Sequence, residues 1–313
     1  MIYILLSDSF LPYIPRWREF YGFKRTESII QNLKTKDKRY ITPNTLKISS
    51  NQLFSLIEKR GFILQHTKVF DAFLIKKAPY NIVSTPEYLT GLFSIHVLTS
   101  IIPPFSLELQ KNDLVIDMAA APGIKTSLLA QKLRNRGIII AIEKSKARIP
   151  ALRANISRLG VKNTIILFLD SMKLSFNDIM ADHILLDAPC SGTGLKVEKN
   201  KRSSPRKMRD ILRNTIIQKR LLEVGWNHLK PRGTLVYSTC SLEPEEGEIQ
   251  IHNFLNRHTD EVEVLPISFD IGIAGNQTNW KFPLNSQLSK TKRIFPDSGI
   301  DGFFVALLRK VGQ

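Results

Sequence analysis

Apolar residues fall in short runs between turn-forming and charged stretches, and beyond residue 110 the runs alternate in type. Segments 114–118, 138–143, 164–170, 183–187 and 233–238 read as strands by their length and their Leu, Ile and Val content. Segments 125–134 and 148–159 between them carry helical spacing. Strand alternating with helix is the pattern of an α/β domain, a mostly parallel sheet built from βαβ units. A further helix is predicted over 91–100, and 293–295 with 303–309 reads as a closing antiparallel pair. Upstream, 51–61 predicts a helix stopped by Gly61, and 69–75 a strand. Residues 1–80 therefore read as a small amino-terminal α+β module, and 81–313 as the main domain.

Charge changes this picture. The 313 residues hold 45 Lys plus Arg against 28 Asp plus Glu, a formal charge of +17. Such an excess attracts polyanions, and nucleic acid is the usual one. Residues 1–90 share in it, with 14 basic residues against 7 acidic, so the module is expected to contact RNA. The densest run lies at 196–220, ten basic residues against Glu198 and Asp210. Arg206, Lys207 and Arg209 are its candidate phosphate contacts. The apolar start, Met1 to Leu6, is too short for a signal core or a membrane span. A soluble, cytoplasmic monomer with no membrane partner is expected.

Only two cysteines occur, which excludes a disulfide framework and a four-cysteine zinc site and suits a reducing compartment. No metal is expected. Each cysteine lies just past a predicted strand, in Asp187-Ala188-Pro189-Cys190-Ser191-Gly192-Thr193-Gly194 and in Tyr237-Ser238-Thr239-Cys240-Ser241-Leu242-Glu243-Pro244-Glu245-Glu246. Ligands of open α/β sheets bind beyond the strands' carboxyl ends. A cysteine is more often a small buried hydrophobe than a nucleophile, but small polar residues flank both of these. Spacing alone does not say which thiol attacks.

The turn after the first strand of the main domain reads Asp117-Met118-Ala119-Ala120-Ala121-Pro122-Gly123-Ile124-Lys125-Thr126. Its small residues let a ligand approach the backbone at a helix amino terminus. It lacks both GxGxxG and the phosphate-loop pattern. Glu143 and Asp170 end the next two strands, where a carboxylate accepts ribose hydroxyls or contacts adenine. Each acid taken singly could be a strand-end cap; together around one small-residue turn they favour an adenosyl ligand.

At these residues the chain resembles the Sun/Nop-type RNA cytosine-C5 methyltransferases, from Tyr80 onward. The likeness rests on the AAPGxKT turn at 120–126, DAPCSGTG at 187–194, YSTCSLEPEEGE at 237–248 and DGFFVA at 301–306. Asn44-Thr45-Leu46-Lys47 is similar to a stretch in the family's amino-terminal part. The resemblance implies a Rossmann-like class I methyltransferase sheet with an antiparallel last strand, and S-adenosylmethionine as cofactor. It implies Cys240 as the nucleophile adding to carbon 6 of a flipped cytosine. Asp187 would steady the base near N3, and Cys190 would assist release as acid or base. Ala119, Ala120, Ala121, Pro122, Gly123, Ile124, Lys125, Glu143, Arg148, Asp170 and Asp187 would surround the cofactor.

The chain departs from the family pattern at four places. Ala119 replaces a Cys, Ile124 a second Gly, His96 a Gln, and Thr42-Pro43 an Arg-Val pair. The expected substrate is structured RNA, with tRNA favoured for a compact chain and rRNA the alternative. The competing readings are a methyltransferase for a small molecule or protein, and an RNA-binding scaffold with an inactive fold.

Overall fold

The computed structural model describes residues 11–36, 38–67, 70–175, 179–196, 207–275, 283–297 and 300–312. In chain order the helices are α1 (Ile14–Tyr21), α2 (Phe23–Leu33), α3 (Ser50–Lys59), α4 (Pro86–Leu89), α5 (Ile102–Ser106), α6 (Ile124–Lys132), α7 (Ile149–Leu159), α8 (Met208–Asn227) and α9 (Glu248–Arg257). The strands are β1 (Tyr40–Pro43), β2 (Ile63–His66), β3 (Phe73–Lys77), β4 (Phe93–His96), β5 (Leu114–Asp117), β6 (Ile138–Glu143), β7 (Thr164–Phe168), β8 (Ala181–Asp187), β9 (Leu229–Thr239), β10 (Val262–Leu265), β11 (Ile273–Ala274), β12 (Lys292–Ile294) and β13 (Phe303–Lys310). They form two compact units. The first comprises the described parts of 1–37, 187–223 and 236–313; the second, those of 38–186 and 224–235.

The second unit holds an antiparallel sheet of order β2-β3-β1-β4. Helix α3 starts in a capping box between Ser49 and Gln52 and buries Leu53 and Ile57 against Ile41, Phe73 and Phe93. Residues 93–96 are a strand, not the middle of a helix over 91–100. Phe93 and Ser94 are buried, and Pro43 pairs Phe93 while Tyr40 pairs His96. Gly91 ends the preceding turn at φ 73°, where a Cβ would lie 1.9 Å from the Arg158 carbonyl oxygen. Strand β3 starts only at Phe73, because Phe70 and Asp71 have positive φ; Val69 lies outside the described residues. Asn44 is a buried tie, donating from Nδ2 to the carbonyls of Gly91 (2.8 Å) and Leu159 (2.7 Å). Lys47 donates to the carbonyls of Thr90 and Arg158.

The large sheet runs β9-β8-β5-β6-β7 through the second unit. β5 is parallel to β6 and β8, and β6 is parallel to β7. Residues 139–143 of β6 are all buried, as expected of a parallel strand covered on both faces. In the first unit the order is β11-β12-β13-β9, with β10 beside β13. The expected closing pair is there: Lys292–Ile294 runs antiparallel to Phe303–Val305. Helices α1 and α2 bury Trp17, Tyr21, Ile29 and Leu33 with Ile211 and Leu242. Among the described residues, no helix is long and apolar enough to cross a membrane.

Candidate active site and family

β8 ends at Asp187 and β9 at Thr239, so each cysteine sits on the first residues beyond a strand. Their sulfurs are 3.3 Å apart, both thiols are free, and both residues are half-buried. The hydroxyls of the neighbouring residues set this spacing. Ser191 Oγ and Ser241 Oγ are 3.0 Å apart, and Thr193 Oγ1 lies 3.3 Å from Ser241 Oγ and accepts the Leu242 N–H at 3.0 Å. The Gly194 N–H donates to the Cys240 carbonyl at 3.1 Å. Gly194 itself is pressed on Gly302, whose oxygen would meet an added Cβ at 2.5 Å.

A buried carboxylate anchors the Cys190 loop. Glu246 is fully buried and accepts from the Ser191 N–H (2.9 Å), the Ser191 hydroxyl, Asn214 Nδ2 (3.0 Å) and Gln218 Nε2 (3.2 Å). Its backbone carbonyl accepts the Tyr237 hydroxyl at 2.8 Å. The hydrogen bond to the Cys240 sulfur, burial, and the negative charge of Glu246 and Asp187 push the Cys190 thiol well up, so Cys190 keeps its proton. Asp187 Oδ1 accepts the Ser238 hydroxyl at 2.7 Å, and the Ala188 N–H donates to the Ser238 carbonyl.

Helix α1 grips the Cys240 loop. Tyr21 donates its hydroxyl to the Leu242 carbonyl, and Trp17 Nε1 donates to Glu243 at 3.0 Å. Arg16 reaches Glu243 at 3.4 Å and Glu245 at 2.5 Å. Burial raises the Glu243 carboxyl to about 7, against the opposing pull of Trp17 and Arg16. Arg293 and Glu248 form a fully buried ion pair, and Arg293 also donates to the Ser241 carbonyl at 2.5 Å. The sequence singles out neither Glu246 nor α1, because their partners Ser191 and Leu242 lie far away along the chain.

The second unit contains the expected cofactor turn. Asp117 is buried and holds Thr126 Oγ1 at 2.7 Å; Ala119 is half-buried. The Ala120 N–H donates to Ile142, the Ala121 carbonyl accepts from Arg148, and the Pro122 carbonyl accepts from Asn155 at 2.9 Å. Gly123 has φ 100°, and an added Cβ would lie 2.9 Å from Leu152 Cδ1. Ile124 opens α6 half-buried. Glu143 is buried, with Oε1 on the Ser145 N–H at 2.8 Å. Its Oε2 lies 3.2 Å from Arg148 Nη1, an ion pair without hydrogen-bond geometry. Asp170 caps the turn 171–173 through the Met172 N–H at 3.1 Å. His96 is held neutral, its value lowered to about 3 by burial and then by the Lys125 charge. A small-residue turn that needs glycine at φ 100° and a buried carboxylate oxygen lacking a hydrogen bond both fit an adenosyl cofactor.

The basic run is not one surface. Lys196 is fully buried, its Nζ bonded to the Asn32 carbonyl (2.6 Å), Thr35 Oγ1 (3.0 Å) and the Asp297 carbonyl (2.9 Å). It is a packing residue, not part of an exposed rim. Arg206 lies outside the described residues. Lys207 and Arg209 are exposed at the start of α8, as are Arg213, Lys219 and Arg220 further along it. Among the described residues no cluster of His, Cys, Asp and Glu could hold a metal ion.

The family model described as "16S rRNA methyltransferase RsmB/F" matches residues 104–309. The 26S rRNA (cytosine-C(5))-methyltransferase nsun-1 of Caenorhabditis elegans is 34% identical over 283 residues, 87% of this chain and 42% of that protein. The ribosomal RNA small subunit methyltransferase F of Salmonella arizonae is 37% identical over 291 residues, 88% of this chain and 58% of that protein. The chain thus spans about half the length of the curated relatives it matches. Among solved structures, a methyltransferase homologue from Pyrococcus horikoshii is 38% identical with TM-score 0.85, covering 98% of this chain and all of that one. NSun6 from Pyrococcus horikoshii with SFG is 25% identical with TM-score 0.84, covering 98% and 99%. With well over half of its residues under that model, the chain belongs to the RsmB/F family of Sun/Nop-type, S-adenosylmethionine-dependent methyltransferases.

Proposed function

We propose that the chain methylates carbon 5 of cytosine in structured RNA, with Cys240 as the covalent nucleophile. One observation carries this reading: two free, half-buried thiols lie 3.3 Å apart, each on the residues just beyond a strand. A packing role for the cysteines would need neither free access nor a hydroxyl lattice fixing their separation.

Cytosine carbon 5 is a poor nucleophile while the ring is aromatic. The Cys240 sulfur adds to carbon 6, and the electron pair of the 5,6 double bond moves toward carbon 5 and N3. Asp187, fixed by the Ser238 hydroxyl, is proposed to lie at the N3 edge of the base and to pass a proton to N3 as negative charge develops there. S-adenosylmethionine supplies an electrophilic methyl group. Solvent takes the carbon 5 proton, the electrons of that C–H bond rebuild the 5,6 double bond, and Cys190 serves as the acid that gives its proton to the departing Cys240 thiolate. Ala119–Lys125, Glu143, Arg148, Asp170 and Asp187 are the residues proposed to hold the cofactor, with Glu143 Oε2 the natural acceptor for a ribose hydroxyl.

Residues 1–80 are proposed to contribute RNA contacts, together with Lys207 and Arg209 at the start of α8 and with Arg206 of the same basic run. The chemistry requires both thiols reduced, which suits the cytoplasm, and a monomer remains the proposed state. The curated relatives are named for rRNA, and tRNA is the other structured RNA proposed as substrate. Incubation with labelled S-adenosylmethionine and separate tRNA and rRNA pools decides between them. Label should enter cytosine of one pool and be lost with Cys240→Ala. RNA binding without transfer would select the scaffold reading.

A further inference from the structure

A cleft of about 820 Å³ opens in the first unit. Phe295 and Tyr21 give it aromatic surface, their rings edge to face at 4.8 Å. Arg25 lays its guanidinium over the Phe295 ring, 4.7 Å from the centroid, and Lys24 stands beside it; both cations are exposed. Ile273 and Ile294 add apolar lining, and Asp297 is the one acid of the described lining. The size is that of a small-molecule or single-nucleotide site.

Unpaired bases stack on aromatic rings and on arginine planes, while neighbouring Lys and Arg meet the phosphates. An arginine over an aromatic ring, apolar lining and two exposed cations on a chain of charge +17 match that chemistry. We propose that this cleft holds an unpaired nucleotide of the RNA substrate, outside the target cytosine. The inference rests on the RNA reading above. The cleft also has a physical link to the chemistry: Tyr21, which lines it, donates its hydroxyl to the carbonyl of Leu242, two residues beyond Cys240. A nucleotide stacked there bears on the ring that fixes the nucleophile's loop.

The test uses fluorescence anisotropy with a short unstructured RNA oligonucleotide and a duplex of the same sequence, across a salt titration. The double variant Lys24→Ala/Arg25→Ala changes two exposed side chains. Phe295→Leu keeps apolar bulk but removes the aromatic plane. Each should weaken binding of the unstructured RNA about tenfold. The charge variant should also flatten the salt slope by about 1.4, the value for two phosphate contacts on a single strand. Titration with S-adenosylhomocysteine should be unchanged in both, which shows that they fold. Wild-type affinity in both variants, or an equal loss against the duplex, overturns the cleft. If the unaltered protein methylates RNA while the variants bind as it does, only this inference falls. If it neither binds nor methylates RNA, the reading beneath it falls as well.

Discussion

Ser191 and Ser241, the residues that directly follow the two cysteines, hold their hydroxyl oxygens 3.0 Å apart. The sulfur separation is therefore set by a buried hydroxyl lattice one residue along each loop. Ser241→Ala removes that contact and the acceptor of the Glu243 N–H. It should cost about 1–2 kcal/mol in urea denaturation and lower single-turnover methyl transfer about tenfold or more, since small misplacements of reacting groups are expensive. Unchanged transfer would mean that the lattice does not align the thiols.

Glu246 accepts hydrogen bonds from Ser191, Asn214 and Gln218 while fully buried. Glu246→Gln turns an amide NH2 toward those donors and leaves some unsatisfied. A stability loss of about 2–3 kcal/mol is expected, with Cys190 accessibility to a thiol reagent rising as its loop loosens. A variant as stable and as protected as the parent would remove Glu246 from the account.

Glu243 makes stability depend on pH. Its carboxyl ionises near 4.5 in the unfolded chain and near 7 when buried. Stability from this group is therefore fully present below pH 4.5 and is lost as pH rises through 7. The loss amounts to roughly 3 kcal/mol at most. Glu243→Gln should abolish that part of the slope in denaturant midpoints measured from about pH 5 to 8. Parallel curves for the two proteins would contradict it.

Glu143 tests the cofactor turn. Glu143→Gln keeps the shape but loses the charge beside Arg148, and S-adenosylhomocysteine affinity should fall about 10- to 100-fold by calorimetry, the worth of a charge-assisted hydrogen bond. Gly123→Ala should also weaken it, because a side chain is strained at φ 100° and the turn must shift to relieve it. Full affinity in both would place the cofactor elsewhere.

Much of the fold and of the thiol pair is legible in the order of residues alone. β6 covers the expected residues because a continuous Ile-rich run flanked by Gly137 and Lys144 leaves few alternatives. The two cysteine loops stand out by their small polar neighbours. The rest depends on partners remote in sequence. β4 is a strand because it pairs with residues 40–43, which local periodicity cannot report. Lys196 reads as surface charge, yet oxygens from residues 32, 35 and 297 bury it. The acidic stretch Pro244–Glu248 does open helical structure, but that Glu243 and Glu246 face Trp17 and Ser191 depends on distant segments.

RNA carrying 5-fluorocytosine tests the nucleophile most directly, because fluorine blocks the final proton loss and traps the protein–base bond. With S-adenosylmethionine present, the parent protein and Cys190→Ala should form a covalent complex that survives denaturing electrophoresis, and Cys240→Ala should form none. A complex that persists in Cys240→Ala and disappears in Cys190→Ala would contradict the account.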